Sequence, residues 1–197
     1  MADRQTIEVY AKRAGDYAAR FGDEAPGRYL TYFMSQLPKG GRVLDLGCGP
    51  GRSAAAMRDA GFSVDAWDAS PQMATIGAEK FDLAIEIRDF DSLTAESEYD
   101  GIFANFSLLH APKSDMPRHL ERIAKAIKPG GLFHIGLKTG DGEARDKLGR
   151  FYAYYQDAEL TALLEEAGLS VETRNFGADE GLDGTLAPWM ILTARKI

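Results

Sequence analysis

The stretch VLDLGCGPGR, residues 43–52, decides the fold of this chain. Its first four residues predict a short buried strand, and glycines at every second position from 47 to 51 predict a tight turn open to a ligand. The Ala-rich residues 53–60 predict a helix that starts directly after the turn. Arg52 stands where a dinucleotide-binding fingerprint needs its third glycine. The pattern therefore predicts a strand, a ligand-binding loop and a helix, and it disfavours a nicotinamide-dependent oxidoreductase.

Strands and helices alternate in the rest of the sequence, which predicts a mostly parallel sheet with helices on both faces. Two helices, over residues 4–21 and 29–37, are predicted before the first strand. Strands are predicted over residues 42–46, 62–67, 84–88, 99–106, 132–137, 169–175 and 186–196. Helices are predicted over residues 53–60, 71–80, 116–127 and 157–167.

Each of the first three predicted strands ends beside an aspartate, namely Asp45, Asp68 and Asp89. In open α/β sheets, ligands bind beyond the carboxyl ends of the strands, so these carboxylates are expected along one rim. Asp68 follows the glycine loop by about 20 residues, the spacing of an acid that accepts hydrogen bonds from ribose hydroxyls. Aspartate also caps turns and helices, but three at matching positions favour ligand binding.

Residues 43–51 resemble the first motif of class I S-adenosylmethionine-dependent methyltransferases of the small-molecule type. The likeness covers nearly the whole chain and is looser after residue 137. It implies an α/β, doubly wound, Rossmann-like sheet of seven strands, mostly parallel, with the last strand antiparallel. It also implies a single methyltransferase domain over residues 1–197, with an N-terminal helical cap over 1–40 and the core over 41–197.

The resemblance also implies how the cofactor is bound. The loop glycines wrap its methionine and ribose, Asp45 helps to hold the amino group, and Asp68 binds both ribose hydroxyls. Met73 packs on the adenine, whose amino group Asp89 accepts. S-adenosylmethionine carries a net positive charge, which suits a rim of carboxylates; its product is S-adenosylhomocysteine. The predicted cofactor-binding residues are Tyr17, Asp45, Gly47, Cys48, Gly49, Gly51, Arg52, Asp68, Ala69, Met73, Asp89, Phe90, Asn105 and Phe106.

The exit of the fourth predicted strand faces the methyl-donor end. Asn105 has no adjacent acid there, which disfavours a catalytic magnesium ion, and no metal site is predicted. The Asn/Asp-Pro-Pro-aromatic run of members that methylate exocyclic or amide nitrogens is missing. His110 is the best-placed candidate general base, because imidazole titrates near neutral pH; the alternative is a packing residue.

Two aromatic groups are candidates for closing the site. Tyr10 and Tyr17 are seven residues apart, so they share one helix face, which fits either a lid over the cofactor or an amphipathic helix packed on the domain. The aromatic cluster over residues 151–155 is expected either to wall the acceptor pocket or to pack at the surface.

Composition narrows the class of protein. The 197 residues are 45% hydrophobic and 27% charged, enough for a real core. A formal net charge of −7 argues against a general nucleic-acid binder. The sequence shows no membrane span and no secretory signal pattern, and its single cysteine, Cys48, excludes an intrachain disulfide. We therefore expect a cytoplasmic methyltransferase, monomeric or homodimeric, that acts on a small-molecule acceptor; the alternative is a non-catalytic or regulatory cofactor-binding protein of the same fold.

Overall fold

The computed structural model describes residues 3–13, 15 and 27–197. Within them the α-helices are α1 (Arg4–Lys12), α2 (Arg28–Ser35), α3 (Arg52–Asp59), α4 (Pro71–Phe81), α5 (Met116–Ala126) and α6 (Asp157–Glu166). The strands are β1 (Arg42–Leu46), β2 (Ser63–Asp68), β3 (Glu86–Ile87), β4 (Tyr99–Asn105), β5 (Ile127–Lys138), β6 (Glu143–Arg145), β7 (Phe151–Ala153), β8 (Leu169–Glu180) and β9 (Leu186–Lys196).

Seven of these strands form one sheet in the order β3-β2-β1-β4-β5-β9-β8, and β6 and β7 form a separate two-stranded sheet. In the large sheet every pair is parallel except the two that β9 makes, with β5 and with β8. This confirms the predicted doubly wound sheet with an antiparallel last strand. The order also brings the carboxyl ends of β1 to β5 to one edge.

Both faces of the sheet are buried, and adjacent strand residues separate into different clusters. Val43 packs with Phe33 of α2 on one face, whereas Leu44 joins the larger cluster that includes Leu120 of α5 and Leu160 of α6. Because successive side chains in a strand point to opposite faces, this division shows helices covering the sheet from both sides. The near-continuous apolar strands seen in the sequence follow from this burial.

The helices around the site begin where their capping residues predict. Ser70 accepts a hydrogen bond from the backbone N–H of Met73, and Pro71 occupies the first turn of α4. Gly51 precedes α3 with a φ of +84°, in the left-handed region that glycine tolerates. Both helices therefore start at the strand ends, next to the rim of aspartates.

The strands differ most from the sequence prediction in three regions of the chain. β5 begins at Ile127 rather than at residue 132, and its pairing with β4 changes register between Tyr99 and Gly101. β8 continues to Glu180 because its pairing with β9 extends beyond the sheet as a long hairpin. The β6–β7 hairpin lies in a segment that was predicted as a loop and an aromatic cluster. Its strands were not predicted because each has only three residues.

Candidate active site

The loop between β1 and α3 is held against the end of β2. The backbone N–H groups of Gly47 and Cys48 both donate to the carbonyl oxygen of Trp67, at 2.8 and 2.9 Å. The N–H of Gly49 donates to Oδ2 of Asp68 at 2.8 Å. All three loop glycines have positive φ angles, so the glycine pattern serves the turn directly.

Asp68 bridges this loop to the start of the next helix. Its Oδ1 accepts a hydrogen bond from the N–H of Ser70 at 2.9 Å, while Oδ2 holds Gly49. Burial raises the pKa of Asp68 to about 6, although the two N–H donors act in the opposite direction. A carboxylate oxygen can accept more than one hydrogen bond, so Asp68 keeps capacity for hydroxyl groups of a ligand.

Asp45 carries a buried oxygen with no hydrogen-bond partner in the described residues. The residue is only 2% exposed, and the unpartnered atom is Oδ2. Burial, opposed by the backbone N–H of Ala54 and reinforced by the charge of Asp68, raises the pKa of Asp45 to about 8. A buried carboxylate without a partner is unfavourable, so this position suits a cationic group of a ligand.

The end of β3 supplies a third carboxylate and an aromatic ring. Oδ1 of Asp89 accepts hydrogen bonds from the N–H and the hydroxyl of Ser92, at 3.1 and 2.9 Å, which caps a short 3-10 helix over Phe90–Ser92. Phe90 packs edge-to-face against His119, and Met73 of α4 is 2% exposed. Together they give this end of the site apolar walls beside one carboxylate.

Asn105, at the end of β4, is oriented from beneath by a histidine. Its Oδ1 lies 3.1 Å from Nε2 of His134, whose ring stacks on Phe103 with centroids 4.0 Å apart. Burial lowers the pKa of His134 to about 3, so the ring is neutral and its Nε2–H donates to the amide oxygen. The next residue, Phe106, has a φ of +56°, which turns the chain away from the strand.

These residues surround one cavity of about 430 Å³ over the carboxyl ends of the strands. Gly51 does not line it and instead precedes α3, and Tyr17 lies outside the described residues. The predicted site residues that line it are Asp45, Gly47, Cys48, Gly49, Arg52, Asp68, Ala69, Met73, Asp89, Phe90, Asn105, Phe106 and His110.

Further lining residues come from segments that the sequence did not assign to the cofactor site: α1, the end of β5, the β6–β7 hairpin and the β8–β9 hairpin. Lys138 ends β5, so the position of residues after strands was a signal that could have identified it. Tyr10 and Tyr152 belong to the two aromatic groups that the sequence offered as candidates for closing the site. The others had no comparable signal, because only the tertiary fold brings them together. They include Ile7, Tyr10, Lys138, Arg150, Tyr152 and Trp189.

His110 has hydrogen bonds at both ring nitrogens. Nδ1 lies 2.6 Å from the carbonyl oxygen of Phe151, and Nε2 lies 3.0 Å from the hydroxyl of Tyr10. A carbonyl only accepts, so Nδ1–H is the donor and Nε2 accepts the hydroxyl proton. Burial lowers the pKa of His110 to about 4, which keeps the ring neutral at physiological pH.

The hydroxyl of Tyr10 also contacts a buried ion pair. Nη1 of Arg150 donates to it at 3.1 Å, while the same guanidinium donates to Asp146 through Nε and Nη2, at 2.8 and 2.6 Å. Both side chains of the pair are almost fully buried. The guanidinium is therefore charge-compensated and positions Tyr10 at the cavity wall.

Two further contacts join α1 to the β6–β7 hairpin. Arg145 donates to both carboxylate oxygens of Asp3, at 2.9 and 2.8 Å, and the N–H of Phe151 donates to the hydroxyl of Thr6 at 2.8 Å. Helix α1 thus lies over the cavity and is attached by polar contacts. Water can replace such contacts, so a local opening of α1 costs less free energy than an opening of the apolar core.

Neither a metal site nor a membrane span is present in the part of the chain that the structure describes. Over residues 3–13, 15 and 27–197 no three His, Cys, Asp or Glu side chains are grouped as metal ligands. No helix in these residues combines the length and apolar character needed to cross a bilayer.

Comparison with known proteins identifies the family. A family model described as a methyltransferase domain matches residues 17–174. Cypemycin N-terminal methyltransferase from a Streptomyces species is 37% identical over 137 residues, which cover 66% of this chain and 56% of that protein. A ubiquinone biosynthesis O-methyltransferase from Xanthomonas axonopodis pv. citri is 28% identical over 166 residues, 73% of this chain and 69% of that protein. The chain therefore spans little more than half the length of the first of these relatives.

A solved structure shows the same fold. The 1,6-didemethyltoxoflavin-N1-methyltransferase of Burkholderia thailandensis, with bound 1,6-didemethyltoxoflavin and S-adenosylhomocysteine, has a TM-score of 0.78 and 24% identity. The match covers 98% of this chain and 87% of that one. Since the family model spans most of the sequence and the sheet has the expected order, the chain belongs to the class I S-adenosylmethionine-dependent methyltransferases.

Proposed function

We propose that this methyltransferase transfers the methyl group of S-adenosylmethionine to a small-molecule acceptor. The observation that carries the proposal is that the cavity continues beyond the glycine loop and the three aspartates. Its second part lies under α1 and between the two hairpins, with aromatic walls from Phe106, Tyr152 and Trp189. A covered space of this kind suits a small acceptor rather than an extended polymer.

The first part of the cavity fits the cofactor group by group. The unpartnered Oδ2 of Asp45 suits the ammonium, and the remaining lone pairs of Asp68 suit the ribose hydroxyls. Asp89, with Phe90 and Met73 beside it, suits the polar edge and the faces of an adenine ring. S-adenosylmethionine supplies a methyl group on a sulfonium, which is already an activated leaving group.

The sheet order indicates which strands lie beneath the second part of the cavity. β4 lies next to β1, and β5 next to β4, on the side opposite to β2 and β3. The acceptor is therefore expected over the ends of β4 and β5, with Asn105 between the two parts. There the protein aligns the acceptor with the methyl group and excludes water.

A proton released by the acceptor has one route to His110. Because Nε2 already accepts the proton of Tyr10, His110 acts as a base only if the Tyr10 hydroxyl passes its proton inward while it takes one from the acceptor. The low pKa of the buried imidazole opposes this transfer. Acceptors that lose their proton before binding do not need a general base.

Label transfer tests the proposed function. S-adenosylmethionine with a radioactive methyl group is incubated with the protein and a cell extract that is separated afterwards into small molecules, protein and nucleic acid. We expect label in the small-molecule fraction with the wild type and little with Asp68→Asn. Label in a macromolecular fraction alone would contradict the proposal. Cofactor binding without release of S-adenosylhomocysteine would support the non-catalytic alternative.

A further inference from the structure

We propose that Lys138 binds an anionic group of the methyl acceptor, so that the acceptor is a planar, aromatic small molecule with a carboxylate or another ionised oxygen. The inference rests on the proposed function and specifies its substrate class.

Lys138 lies on the acceptor side of the site. It is the last residue of β5 and is paired with Trp189 of β9. Neighbouring strands are about 4.8 Å apart, which puts the end of β5 roughly 10 Å from the end of β1. Asp68 and Asp89 lie at the ends of β2 and β3, in the opposite direction. The aspartates at the strand ends thus lie on the cofactor side, and Lys138 lines the other side of the cavity.

The Lys138 ammonium has no hydrogen-bond or ion-pair partner among the residues that the structure describes. Its Nζ lies 3.8 Å from the ring centroid of Tyr152, a cation–π contact that leaves N–H donors available. Burial, and after it the charge of Arg150, lower the pKa of Lys138, so a neighbouring anion would be stabilising. Arg150 differs in having its own buried partner, Asp146.

Acidic residues near Lys138 do not take this role. Asp183 and Asp146 act on it only at a distance, outside ion-pair range. Asp179 and Glu180 also line the cavity, but both residues are exposed, so water screens their charges. Asp179 also accepts a hydrogen bond from Nε1 of Trp189 at 2.7 Å. They are the reason to test a cationic acceptor as the competing outcome.

The walls around Lys138 favour a flat ring. Tyr152 lies beneath the ammonium, and Phe106 and Trp189 meet edge-to-face with centroids 6.3 Å apart. Aromatic side chains stack on planar groups and present few polar atoms to them. An acceptor with a ring between these side chains and one anion at Lys138 satisfies both features.

Three matched probes test the inference: 2-naphthoate, 2-naphthamide and 2-naphthylmethylamine. They share one ring system and differ in charge. Each is titrated into the S-adenosylhomocysteine complex and followed by ligand-observed nuclear magnetic resonance. For the wild type we expect 2-naphthoate to bind about tenfold more tightly than 2-naphthamide, because one charged hydrogen bond separates them. The amine should bind more weakly than either.

Variants separate the charge from the fold. Lys138→Met keeps the aliphatic stem and should remove the preference for 2-naphthoate, whereas Lys138→Arg should retain most of it. Lys147→Met removes the same charge from an exposed position outside the cavity and should change nothing. A preference that survives in Lys138→Met would overturn the assignment.

The outcomes also distinguish this inference from the proposed function. If the amide or the amine binds as tightly as 2-naphthoate, the role of Lys138 is wrong and the small-molecule pocket stands. If the complex binds none of the three probes, the inference is overturned, and the label-transfer experiment decides separately on the small-molecule acceptor.

Discussion

The hydroxyl of Tyr10 lies 3.0 Å from Nε2 of His110, although the two residues are 100 positions apart in the chain. The contact joins α1 to the exit of β4, and both residues line the cavity. Because His110 is neutral and its Nδ1–H is taken by a backbone carbonyl, the hydroxyl donates to the ring. A buried polar network thus attaches α1 over the acceptor side, and the effect of removing the Tyr10 hydroxyl should be measurable.

Tyr10→Phe should destabilise the protein and loosen α1. The change leaves Nε2 of His110 and one N–H of Arg150 buried without their partner, at a cost of about 1–3 kcal/mol in the free energy of unfolding. Chemical denaturation measures this. Tyr32→Phe is the matched control, since that tyrosine is exposed on α2. Equal unfolding free energies for the two variants would show that the network does not stabilise the fold.

Ligand binding should slow amide exchange in α1. Helix α1 is attached mainly through Asp3, Thr6 and Tyr10, and closing over a bound cofactor reduces its opening. Adding S-adenosylhomocysteine should lower exchange over residues 4–12, and Arg145→Met should raise it because the ion pair with Asp3 is lost. Exchange in α6, away from the cavity, serves as the reference. Slow exchange without ligand, unchanged on adding it, would mean that α1 is a fixed element.

Asp45→Asn should separate stability from cofactor binding. Burial raises the pKa of Asp45 from its ordinary value of 3.8 to about 8, so the folded protein holds a proton that the unfolded chain has released. The stability of the cofactor-free protein therefore falls as the pH rises between those two values. Asparagine has no proton to lose, and each pKa unit corresponds to about 1.4 kcal/mol. The unfolding free energy of Asp45→Asn minus that of the wild type should therefore be at least about 1 kcal/mol larger at pH 8 than at pH 5.

Calorimetry measures the effect of Asp45→Asn on cofactor binding. S-adenosylhomocysteine should bind Asp45→Asn at least about tenfold more weakly at pH 8, because the charged partner of the ammonium is lost. Asp65→Asn, on the same sheet but paired with Arg42 outside the cavity, should bind normally. Unchanged affinity in Asp45→Asn would refute the ammonium assignment.

Gly47→Ala should abolish cofactor binding and lower stability. Gly47 has a φ of +73°, and a Cβ there would lie 2.4 Å from Cβ of Ser107, whose hydroxyl is bonded to the carbonyl of Leu46. Gly61→Ala is the control for backbone strain alone, since Gly61 also has a positive φ but open space around its Cβ position. We expect the control to lose about 1–2 kcal/mol of unfolding free energy and to bind normally. Binding by Gly47→Ala similar to that of Gly61→Ala would contradict the role of the loop.

The structural features that the sequence predicted correctly are those whose signals are local in the sequence. β1 has the predicted bounds, because an apolar run meets a glycine turn, and α4 starts at residue 71 as predicted, directly after the capping residue Ser70. The aspartates at the strand ends came together because parallel strands place equivalent ends at one edge. Each of these signals lies within a few residues of the element that it predicts.

The acceptor side was harder to predict because its residues are distant in sequence. Tyr10, His110 and Arg150 meet only when α1, the exit of β4 and the β6–β7 hairpin are assembled. The three-residue strands of that hairpin are too short for alternation to identify them. Trp189 lies in β9 opposite Lys138, where periodicity predicts a strand without showing that the side chain reaches the cavity.

A crystal structure with bound S-adenosylhomocysteine is the most direct test of the central claim that one cavity holds the cofactor and a small acceptor side by side. We predict the ammonium at Oδ2 of Asp45, the ribose hydroxyls at Asp68, and the sulfur directed past Asn105 into the space walled by Tyr152 and Trp189. A sulfur directed to open solvent, or a ligand bound away from the two aspartates, would contradict the account.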